Sequence, residues 1–475
     1  MKKLFLSLGV LLLALIAILL INTLRLTSKQ VPAEPVEKMA VSDQVFQNLS
    51  KAIQFKTISF NEEAVPDSAE FLGFHRFLEA TFPLVHSQLT LEKINSYSLL
   101  YKWQGTDPSL KPVILMSHQD VVPVDEPTLQ QWEAGPFEGK ITDTHIIGRG
   151  TLDDKGTLMG VLEAVEKLLS ENYVPARTIY IASGHDEEVG GPKGAGLIAE
   201  HLKKQGVQAA MTLDEGGYFA EGLVPGLSGP VAMINLGEKG FASFRLIVRT
   251  NGGHSSAPPK ENTIGILAKA IVDLENNQLP YKLVPPIDAQ LEYLGPELPF
   301  LPRIAFANPW LFKSQLLEGL NAHTTTAPTI IDGGVKNNVI PTVAEATINF
   351  RILPGETIES VQAHIESIVS DKVTVEPVGF LTNPPAVSRV DSEPYRILEK
   401  TIRNLHPETI VVPGLLGGAT DSRYFTEISD EVYRFYPIRI DKESMERFHG
   451  IDEKISKENY KEIIQFSYHL IKNFQ

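Results

Sequence analysis

Four short clusters of histidine and acidic residues hold the side chains best suited to chemistry in this chain. The clusters are His118 with Asp120, Asp153 with Asp154, Glu187 with Glu188, and Asp214 with Glu215. Carboxylates that pack together without a cation repel one another and are costly to remove from water. Imidazole and carboxylate groups are also ligands that suit zinc. If the fold brings the clusters together, they predict a centre for divalent metal ions.

A pair of ions accounts for this much negative charge. Two Zn²⁺ ions with three carboxylate ligands and a bridging hydroxide form a neutral centre. The chain has no cysteine, which excludes thiolate ligands, disulfides and cysteine nucleophiles. Each cluster taken alone has an ordinary structural explanation as a turn, a helix N-cap or a solvated loop. The recurrence of four clusters favours the metal centre.

Motifs for other chemistries do not match. The sequence contains no Gly-x-Ser-x-Gly, His-Glu-x-x-His or Gly-x-x-x-x-Gly-Lys-Ser/Thr motif, and Gly148-Arg149-Gly150 is only half of a dinucleotide fingerprint. The chain carries 43 Lys and Arg against 58 Asp and Glu, a formal charge of −15. This excess of acid argues against nucleic acid as a partner, because phosphate binding needs clustered basic residues.

The elements that must position these clusters alternate between strands and helices. Continuous apolar runs at 112–116, 177–182 and 209–213 predict buried strands, and an acidic or histidine cluster follows each run. Helical spacing of apolar residues begins after Asp154, and a second helix is predicted over 194–204. The order predicts an α/β fold with a mostly parallel sheet and helices on both faces. The carboxyl ends of such strands meet at one edge, where sites form.

Residues 238–372 have a different pattern and predict an inserted, smaller α+β lid or dimerisation domain. Strands are predicted at 241–250 and 346–352, and helices at 262–274 and 357–369. The stretch 279–326 is rich in proline and large apolar residues without clear periodicity, which predicts a long irregular loop. The catalytic domain then comprises residues 43–237 and 373–475, and it ends in a helix over 457–473.

The N-terminus predicts a membrane segment over residues 1–26. Residues 4–21 are apolar apart from Ser7 and Gly9, and a helix of this length spans about 27 Å, close to the hydrocarbon thickness. No small-x-small cleavage site follows, so we expect an uncleaved single-pass anchor with the catalytic body outside the cytoplasm. The alternative is a cleaved signal, which would leave a secreted or periplasmic protein. Residues 27–42, with Pro32 and Pro35, predict a short stalk.

The motifs in this order resemble those of the M20 metallopeptidase family, which also contains aminoacylases. The resemblance rests on four sequence blocks: His118-x-Asp120, the stretch 148–156, the stretch 186–191 and the stretch 213–217. Within the family the chain is most similar to the carboxypeptidase S branch, which includes membrane-anchored and secreted N-acyl-amino-acid hydrolases.

The resemblance implies two Zn²⁺ ions per subunit and a set of five ligands. In this set His118 binds one zinc, Glu188 binds the other, and Asp153 bridges the two. The distant His449 is the C-terminal ligand, and the fifth ligand is Asp214 or Glu215. We expect Asp214. The resemblance also implies that Asp120 orients His118 and that Glu187 is the general base that accepts a proton from water.

Four further residues resemble the substrate-binding positions of the family. They are His254, Asn338, Arg351 and Arg423. His254 corresponds to a histidine that supports the oxyanion, often across a dimer interface, so the resemblance implies a homodimer formed through the lid domain. Arg423 has the donors to bind a substrate carboxylate in bidentate fashion.

Together these observations predict a dizinc hydrolase that cleaves an amide bond next to a free carboxylate. The leading hypothesis is a carboxypeptidase acting on peptide C-termini, and the alternative is an N-acyl (fatty-acyl) amino acid amidohydrolase. The apolar stretch 298–312 either lines a lipid-accepting channel or belongs to the small-domain core. A hypothesis from another class is a membrane-tethered binding protein without activity. Every catalytic position of the pattern is filled, which argues against such decay.

Overall fold

The structure, a computed structural model, describes residues 2–61 and 63–475. Its helices are α1 (Lys2–Arg25), α2 (Gln44–Ile53), α3 (Ser68–Thr81), α4 (Pro83–Gln88), α5 (Lys155–Ser170), α6 (Ala195–Lys204), α7 (Thr263–Asn276), α8 (Pro285–Leu294), α9 (Phe300–Ala307), α10 (Pro309–Gly319), α11 (Ile358–Ile368), α12 (Glu393–Leu405), α13 (Lys442–Arg447) and α14 (Lys457–Asn473). Its strands are β1 (Thr90–Ile94), β2 (Ser98–Trp103), β3 (Val113–His118), β4 (Lys140–Ile141), β5 (His145–Ile147), β6 (Ile179–Gly184), β7 (Met211–Asp214), β8 (Phe219–Ala220), β9 (Val231–Glu238), β10 (Gly240–Arg249), β11 (Gly253–His254), β12 (Thr325–Gly333), β13 (Val339–Ile340), β14 (Val343–Ile352), β15 (Val373–Thr382), β16 (Ile410–Leu416), β17 (Val432–Arg434), β18 (Arg439–Ile440) and β19 (Lys454–Ser456).

The catalytic domain is built on a ten-stranded mixed sheet, whose strand order is β1-β2-β6-β3-β7-β17-β9-β8-β18, with β16 paired to β9. At its centre, β3 runs parallel to both β6 and β7. Helices cover both faces. Val113 and Leu115 pack into the core that contains α5 and α14, whereas Ile114 and Met116 pack into the core that contains α6. The predicted α/β fold is confirmed.

The predicted buried strands match β3, β6 and β7. Every residue of these three strands is buried, as expected for strands covered on both faces. The strands extend slightly further than the apolar runs, so that His118 is the last residue of β3 and Asp214 the last residue of β7. Three of the four clusters therefore lie at or just beyond the carboxyl ends of these strands, and the fourth, Asp153 with Asp154, directly precedes α5.

The inserted domain is a four-stranded antiparallel sheet in the order β12-β14-β10-β15. Helices α7 and α11 contribute to its separate core, which includes Phe244, Leu267 and Phe350. The pairing of β15 with β10 assigns residues 373–382 to this sheet, so the predicted boundary at residue 372 falls one strand early. Only the first residue of strand β15 is buried, and the strand lacks the alternation of buried residues that marks β10 and β14.

The prediction of an irregular loop over 279–326 was wrong, because this stretch contains α8, α9 and α10. Its prolines begin helices instead of breaking them: Pro285 and Pro309 are the first residues of α8 and α10, and Pro299 precedes α9. Tyr293 and Leu298 pack into the core of the catalytic domain. These helices therefore lie against the main sheet, although they are inserted within the sequence of the smaller domain.

The segment after α1 is held against the catalytic domain and is not a free stalk. It contains no helix or strand, but Gln30 exchanges two hydrogen bonds with the backbone of Val411, at 2.8 and 2.7 Å. Farther along, Met39 exchanges two with the side chain of Gln465, at 3.0 and 2.6 Å. These contacts fix the position of α1 relative to the rest of the chain.

Candidate metal centre

The four clusters converge at the carboxyl edge of the main sheet, and Asp153 lies between two imidazoles. Its Oδ1 is 2.9 Å from Nε2 of His118, and its Oδ2 is 3.0 Å from Nε2 of His449. Nε2 of His118 is also 3.5 Å from Oε1 of Glu215, and Nε2 of His449 is 3.2 Å from Oε2 of Glu188. The arrangement is two sets of ligands that share one carboxylate.

The pKa shifts in the site show that it is unfavourable for these acids to be ionised at the same time. Burial, followed by the charge of Asp153, raises the pKa of Glu188 and of Glu215 to about 7. Burial also raises the pKa of Glu187 well above its usual value. Burial alone would lower the pKa of His118, but the hydrogen bonds that its imidazole donates to neighbouring carboxylates raise it well above the ordinary value. Such a cluster is what a divalent cation stabilises.

The donor set fits metal ions. His118 offers a ligand atom within 4.8 Å of ligand atoms from Glu187 and Glu215, and within the same distance of ligand atoms from Asp153 and Glu188. Nitrogen and carboxylate oxygen donors in this combination suit zinc. His449 approaches from the open side, with 55% of its side chain exposed, and Glu188 opposite it is 3% exposed.

Asp120 organises the ligands without joining them. Nδ1 of His118 lies 3.0 Å from the backbone oxygen of Asp120 and 3.4 Å from its carboxylate, which leaves Nε2 to face Asp153. The Asp120 carboxylate also accepts hydrogen bonds from the backbone N–H groups of Glu187 and Glu188, at 3.1 and 3.2 Å. The residue Asp120 thus orients both the His118 imidazole and the turn that carries Glu187 and Glu188.

Glu215, and not the expected Asp214, faces the other ligands. Oδ2 of Asp214 accepts a hydrogen bond of 2.8 Å from the backbone N–H of Ser422, whereas Oε1 of Glu215 lies 3.5 Å from Nε2 of His118. Successive side chains in extended backbone point in opposite directions, so the residue that follows Asp214 points into the centre. The geometry therefore does not support the expectation for Asp214.

Glu453 was missed in the sequence, although it holds two of the ligand loops. Its buried carboxylate accepts a hydrogen bond of 2.6 Å from Nη1 of Arg149, together with bonds from the backbone N–H groups of Gly150 (2.9 Å), Leu152 (2.8 Å) and Asp153 (3.2 Å). Nη2 of Arg149 donates to the carbonyl of residue 450, beside His449. The only sequence signal was an acid four residues after His449.

Arg351 and Arg423 lie on opposite sides of an aromatic pair near the catalytic turn. The guanidinium of Arg351 is 4.7 Å from the ring centre of Phe241, and that of Arg423 is 4.9 Å from the ring centre of Phe380. The two rings are 6.0 Å apart. Arg423 also donates to the carbonyl of Gly190, which follows Glu187 and Glu188 in the same loop. The four-stranded sheet of the inserted domain, the lid sheet, therefore meets the catalytic domain beside the loop that carries Glu187 and Glu188.

His254 and Asn338 lie together, but away from the acidic cluster. The backbone N–H of Ser255 donates to the carbonyl of Asn338 at 3.3 Å, and both His254 and Asn338 are exposed. Nδ1 of His254 is 2.8 Å from the hydroxyl of Ser256. Among residues 2–61 and 63–475, no hydrogen bond or ion pair connects this hairpin to the metal ligands. Within one chain, the structure thus joins only two of the four substrate-binding candidates to the site.

The profile of the peptidase family M20/M25/M40 matches residues 114–473, a range that contains every residue of the candidate centre. The chain belongs to this family. It is therefore an enzyme, a metallopeptidase-type hydrolase, and the prediction of family and enzyme class is confirmed. Membership also implies a metal cofactor. The alternative of a binding protein without activity is set aside.

Named relatives of this M20 chain cover nearly its whole length. A probable carboxypeptidase S-like 2 of Dictyostelium discoideum is 40% identical over 98% of this chain and 92% of the relative. The human N-fatty-acyl-amino acid synthase/hydrolase PM20D1 is 42% identical over 90% of this chain and 86% of the relative. The predicted branch, with carboxypeptidase-like and N-acyl-amino-acid hydrolase members, is confirmed.

The M20 fold is also found in solved structures. The M20 family metallo-carboxypeptidase Sso-CP2 from Sulfolobus solfataricus superposes with a TM-score of 0.68 and 20% identity, over 91% of this chain and 99% of that one. At this identity the likeness establishes the fold.

Proposed function

We propose that the chain is a dizinc hydrolase of amide bonds that lie next to a free carboxylate. The observation that carries the proposal is the position of Asp153 between His118 and His449, with one carboxylate oxygen toward each imidazole. Glu215 would complete the set on the His118 side, and Glu188 the set on the His449 side. When bound, the ions would polarise the amide carbonyl and make water a better nucleophile at neutral pH.

Glu187 is the proposed general base and acid. It lies in the short 3₁₀ helix Glu187–Val189, next to Glu188, and Asp120 fixes its backbone. Burial raises the pKa of its carboxyl group, so the group can accept a proton from the attacking water and hold it. The proton then passes to the nitrogen of the leaving amine, which completes the cleavage.

The Glu187→Gln variant tests this role. We expect metal content to stay at the wild-type level and kcat to fall by roughly 10²–10⁴-fold, the usual contribution of general acid–base catalysis. A matched control is Glu126→Gln, an exposed position in the 3₁₀ helix Glu126–Gln131, which should leave both quantities unchanged. Full activity in Glu187→Gln would remove this residue from the mechanism.

Arg351 is the proposed binding group for the substrate carboxylate. Arg423 already donates to the carbonyls of Thr420 and Gly190, whereas in residues 2–61 and 63–475 no hydrogen bond or ion pair engages the Arg351 side chain. A lysine cannot reproduce bidentate binding of a carboxylate, so Arg351→Lys should raise KM with little change in kcat. The control is Arg249→Lys at the exposed end of the same lid sheet. An unchanged KM in Arg351→Lys would contradict the assignment.

His254 and Asn338 are proposed to act in the site of a second subunit. Both are exposed, and within residues 2–61 and 63–475 no hydrogen bond or ion pair links either one to the acids of its own chain, which supports action across a homodimer interface formed by the lid. Mixing inactive His254→Ala and Glu187→Gln proteins tests this. Random exchange of subunits should restore about a quarter of wild-type activity, because half of the dimers contain one intact site. No recovery in a demonstrated heterodimer would contradict the proposal.

The acyl side of the substrate is proposed to be peptidyl or, as a second candidate, a fatty acyl chain. A cavity of about 410 Å³ between the main sheet and helices α8 to α10 favours the second. Its lining is mostly apolar and includes Leu294, Phe306 and Leu316, together with Tyr218, which follows Glu215 by three residues. The name of the human relative, an N-fatty-acyl-amino acid synthase/hydrolase, points the same way.

Two substrates that share a C-terminal residue separate these candidates. We expect hydrolysis of an N-oleoyl amino acid, and we expect Leu316→Trp, which narrows the cavity, to slow it more than hydrolysis of a dipeptide with the same C-terminal residue. Equal effects on both substrates, or cleavage of the dipeptide alone, would rule out the acyl assignment.

A further inference from the structure

Helices α9 and α10 expose large apolar side chains, which is unfavourable on a surface that faces only water. Phe300 and Leu301, at the start of α9, are 50% and 77% exposed, and Trp310 and Leu311, at the start of α10, are 58% and 44% exposed. The two helices contact each other. Single exposed apolar residues are common, but repeated exposure on adjoining elements marks a surface for a protein or a membrane.

This surface adjoins the helix that is long and apolar enough to cross a membrane. The side chain of the fully buried Asn308, between α9 and α10, donates to the carbonyl of Leu19 at 3.2 Å and accepts from Asn22 at 2.8 Å. The side chain of Leu26 approaches Gly295, just before α9. Helix α1 therefore packs on the α9–α10 pair through its C-terminal half.

The depth of this contact matches that of an interfacial helix. Leu19 precedes Arg25, the basic residue that ends α1, by six residues, which corresponds to about 9 Å along the helix axis. If Arg25 marks the membrane surface, the α9–α10 junction lies about 9 Å below it, within the roughly 5–10 Å range of interfacial amphipathic helices. The hydrogen-bonded segment 27–41 holds the catalytic body in this orientation.

We propose that α9 and α10 insert into the lipid bilayer beside α1 and that acyl substrates reach the cavity from the lipid. Phe306 and Pro302 of α9 line the apolar cavity, while Phe300 and Leu301 of the same helix face outward. One short helix is thus the wall between bilayer and cavity. The lipid route rests on the proposed acyl-amino-acid activity and on α1 remaining as an anchor. The insertion itself does not depend on catalysis.

Trp310 provides a direct probe of insertion, because the other two tryptophans, Trp103 and Trp132, are buried. Full-length protein in phosphatidylcholine nanodiscs is compared with the same protein in nanodiscs that contain brominated phosphatidylcholine. We expect brominated lipid to quench Trp310 fluorescence, and we expect this quenching to disappear in Trp310→Phe. The absence of quenching would overturn the proposal. So would a dimer that shields Trp310 and that Leu301→Asp disrupts, because the surface would then bind a second copy.

A kinetic comparison tests the lipid route. Leu301→Asp should slow hydrolysis of an N-oleoyl amino acid in nanodiscs about tenfold, while hydrolysis of a short, soluble N-acyl amino acid stays unchanged. The matched control is Val174→Asp, also exposed but located in the catalytic domain between α5 and β6. Equal slowing of both substrates, or of neither, would overturn the lipid route. If the wild-type enzyme cleaves no acyl amino acid, the proposed function fails, and the quenching result still decides insertion.

Discussion

Replacing Glu453 with glutamine removes a buried negative charge that holds both metal-ligand loops. Glu453 is 0% exposed and its partner Arg149 is 2% exposed, so the variant leaves a buried guanidinium without its counter-ion. Breaking a buried ion pair on one side costs about 3–5 kcal/mol. The three backbone N–H groups at residues 150, 152 and 153 all donate to Oε1, an oxygen that glutamine retains. The loss therefore falls on Arg149, which faces an amide NH₂ group in place of the second carboxylate oxygen.

In the metal-free protein, the free energy of unfolding of Glu453→Gln should therefore be about 3–5 kcal/mol below that of wild type, so the variant should unfold at a lower urea concentration. Its affinity for zinc should fall by about 10–100-fold, the usual effect of losing a group that orients metal ligands. Urea unfolding of the chelated protein measures the first quantity. Competition with a fluorescent zinc chelator measures the second.

Glu431→Gln separates positioning from simple destabilisation. The Glu431 side chain is 3% exposed and accepts bonds of 2.9 and 2.7 Å from Arg389, whose own side chain is 69% exposed and remains solvated without its partner. We expect this control to lose about 1 kcal/mol and to bind zinc normally. Zinc affinity in Glu453→Gln within twofold of wild type would refute the positioning role, whatever the loss of stability.

Three further predictions concern single side chains. Glu215→Gln should reduce the bound metal, whereas Asp214→Asn should retain it, as metal analysis of both purified variants would show; the reverse result would restore Asp214 as the ligand. His449→Ala should retain the His118 side of the centre and lose the other, so about half of the metal should remain, and full occupancy would exclude His449 as a ligand. Burial raises the pKa of Glu163 from 4.5 to about 7, so its ionisation destabilises the fold as the pH rises through this interval. Relative to wild type, Glu163→Gln should gain about 3 kcal/mol of stability between pH 4.5 and pH 8, measured by urea unfolding, and a pH-independent difference would contradict the shift.

The sequence was most informative about the position of a candidate site residue where that residue comes soon after a buried strand. His118, Glu187 and Glu188 follow apolar runs that only strands covered on both faces explain, and in a parallel sheet such runs end at a common edge. The choice between Asp214 and Glu215 depended on the direction of each side chain at the end of β7. A shift of one residue reverses that direction, and the apolar run does not fix its own last residue to that accuracy.

The sequence alone did not predict contacts between segments that are far apart along the chain. Glu453 resembles a surface acid in sequence, and only the fold brings it to Arg149, three hundred residues earlier. The sequence did not predict helices α8 to α10 because a high proline content usually indicates irregular backbone. Proline is nevertheless well suited to the first turn of a helix, which is where Pro285 and Pro309 lie. Strand β15 was missed because one exposed edge strand carries little apolar pattern.

The metal content of the purified full-length protein, measured together with activity, tests the central claim most directly. Elemental analysis should find two zinc ions for each chain, a strong chelator should abolish hydrolysis, and added zinc should restore it. An enzyme that is free of metal as purified and equally active in the presence of the chelator would contradict the account of the acidic cluster.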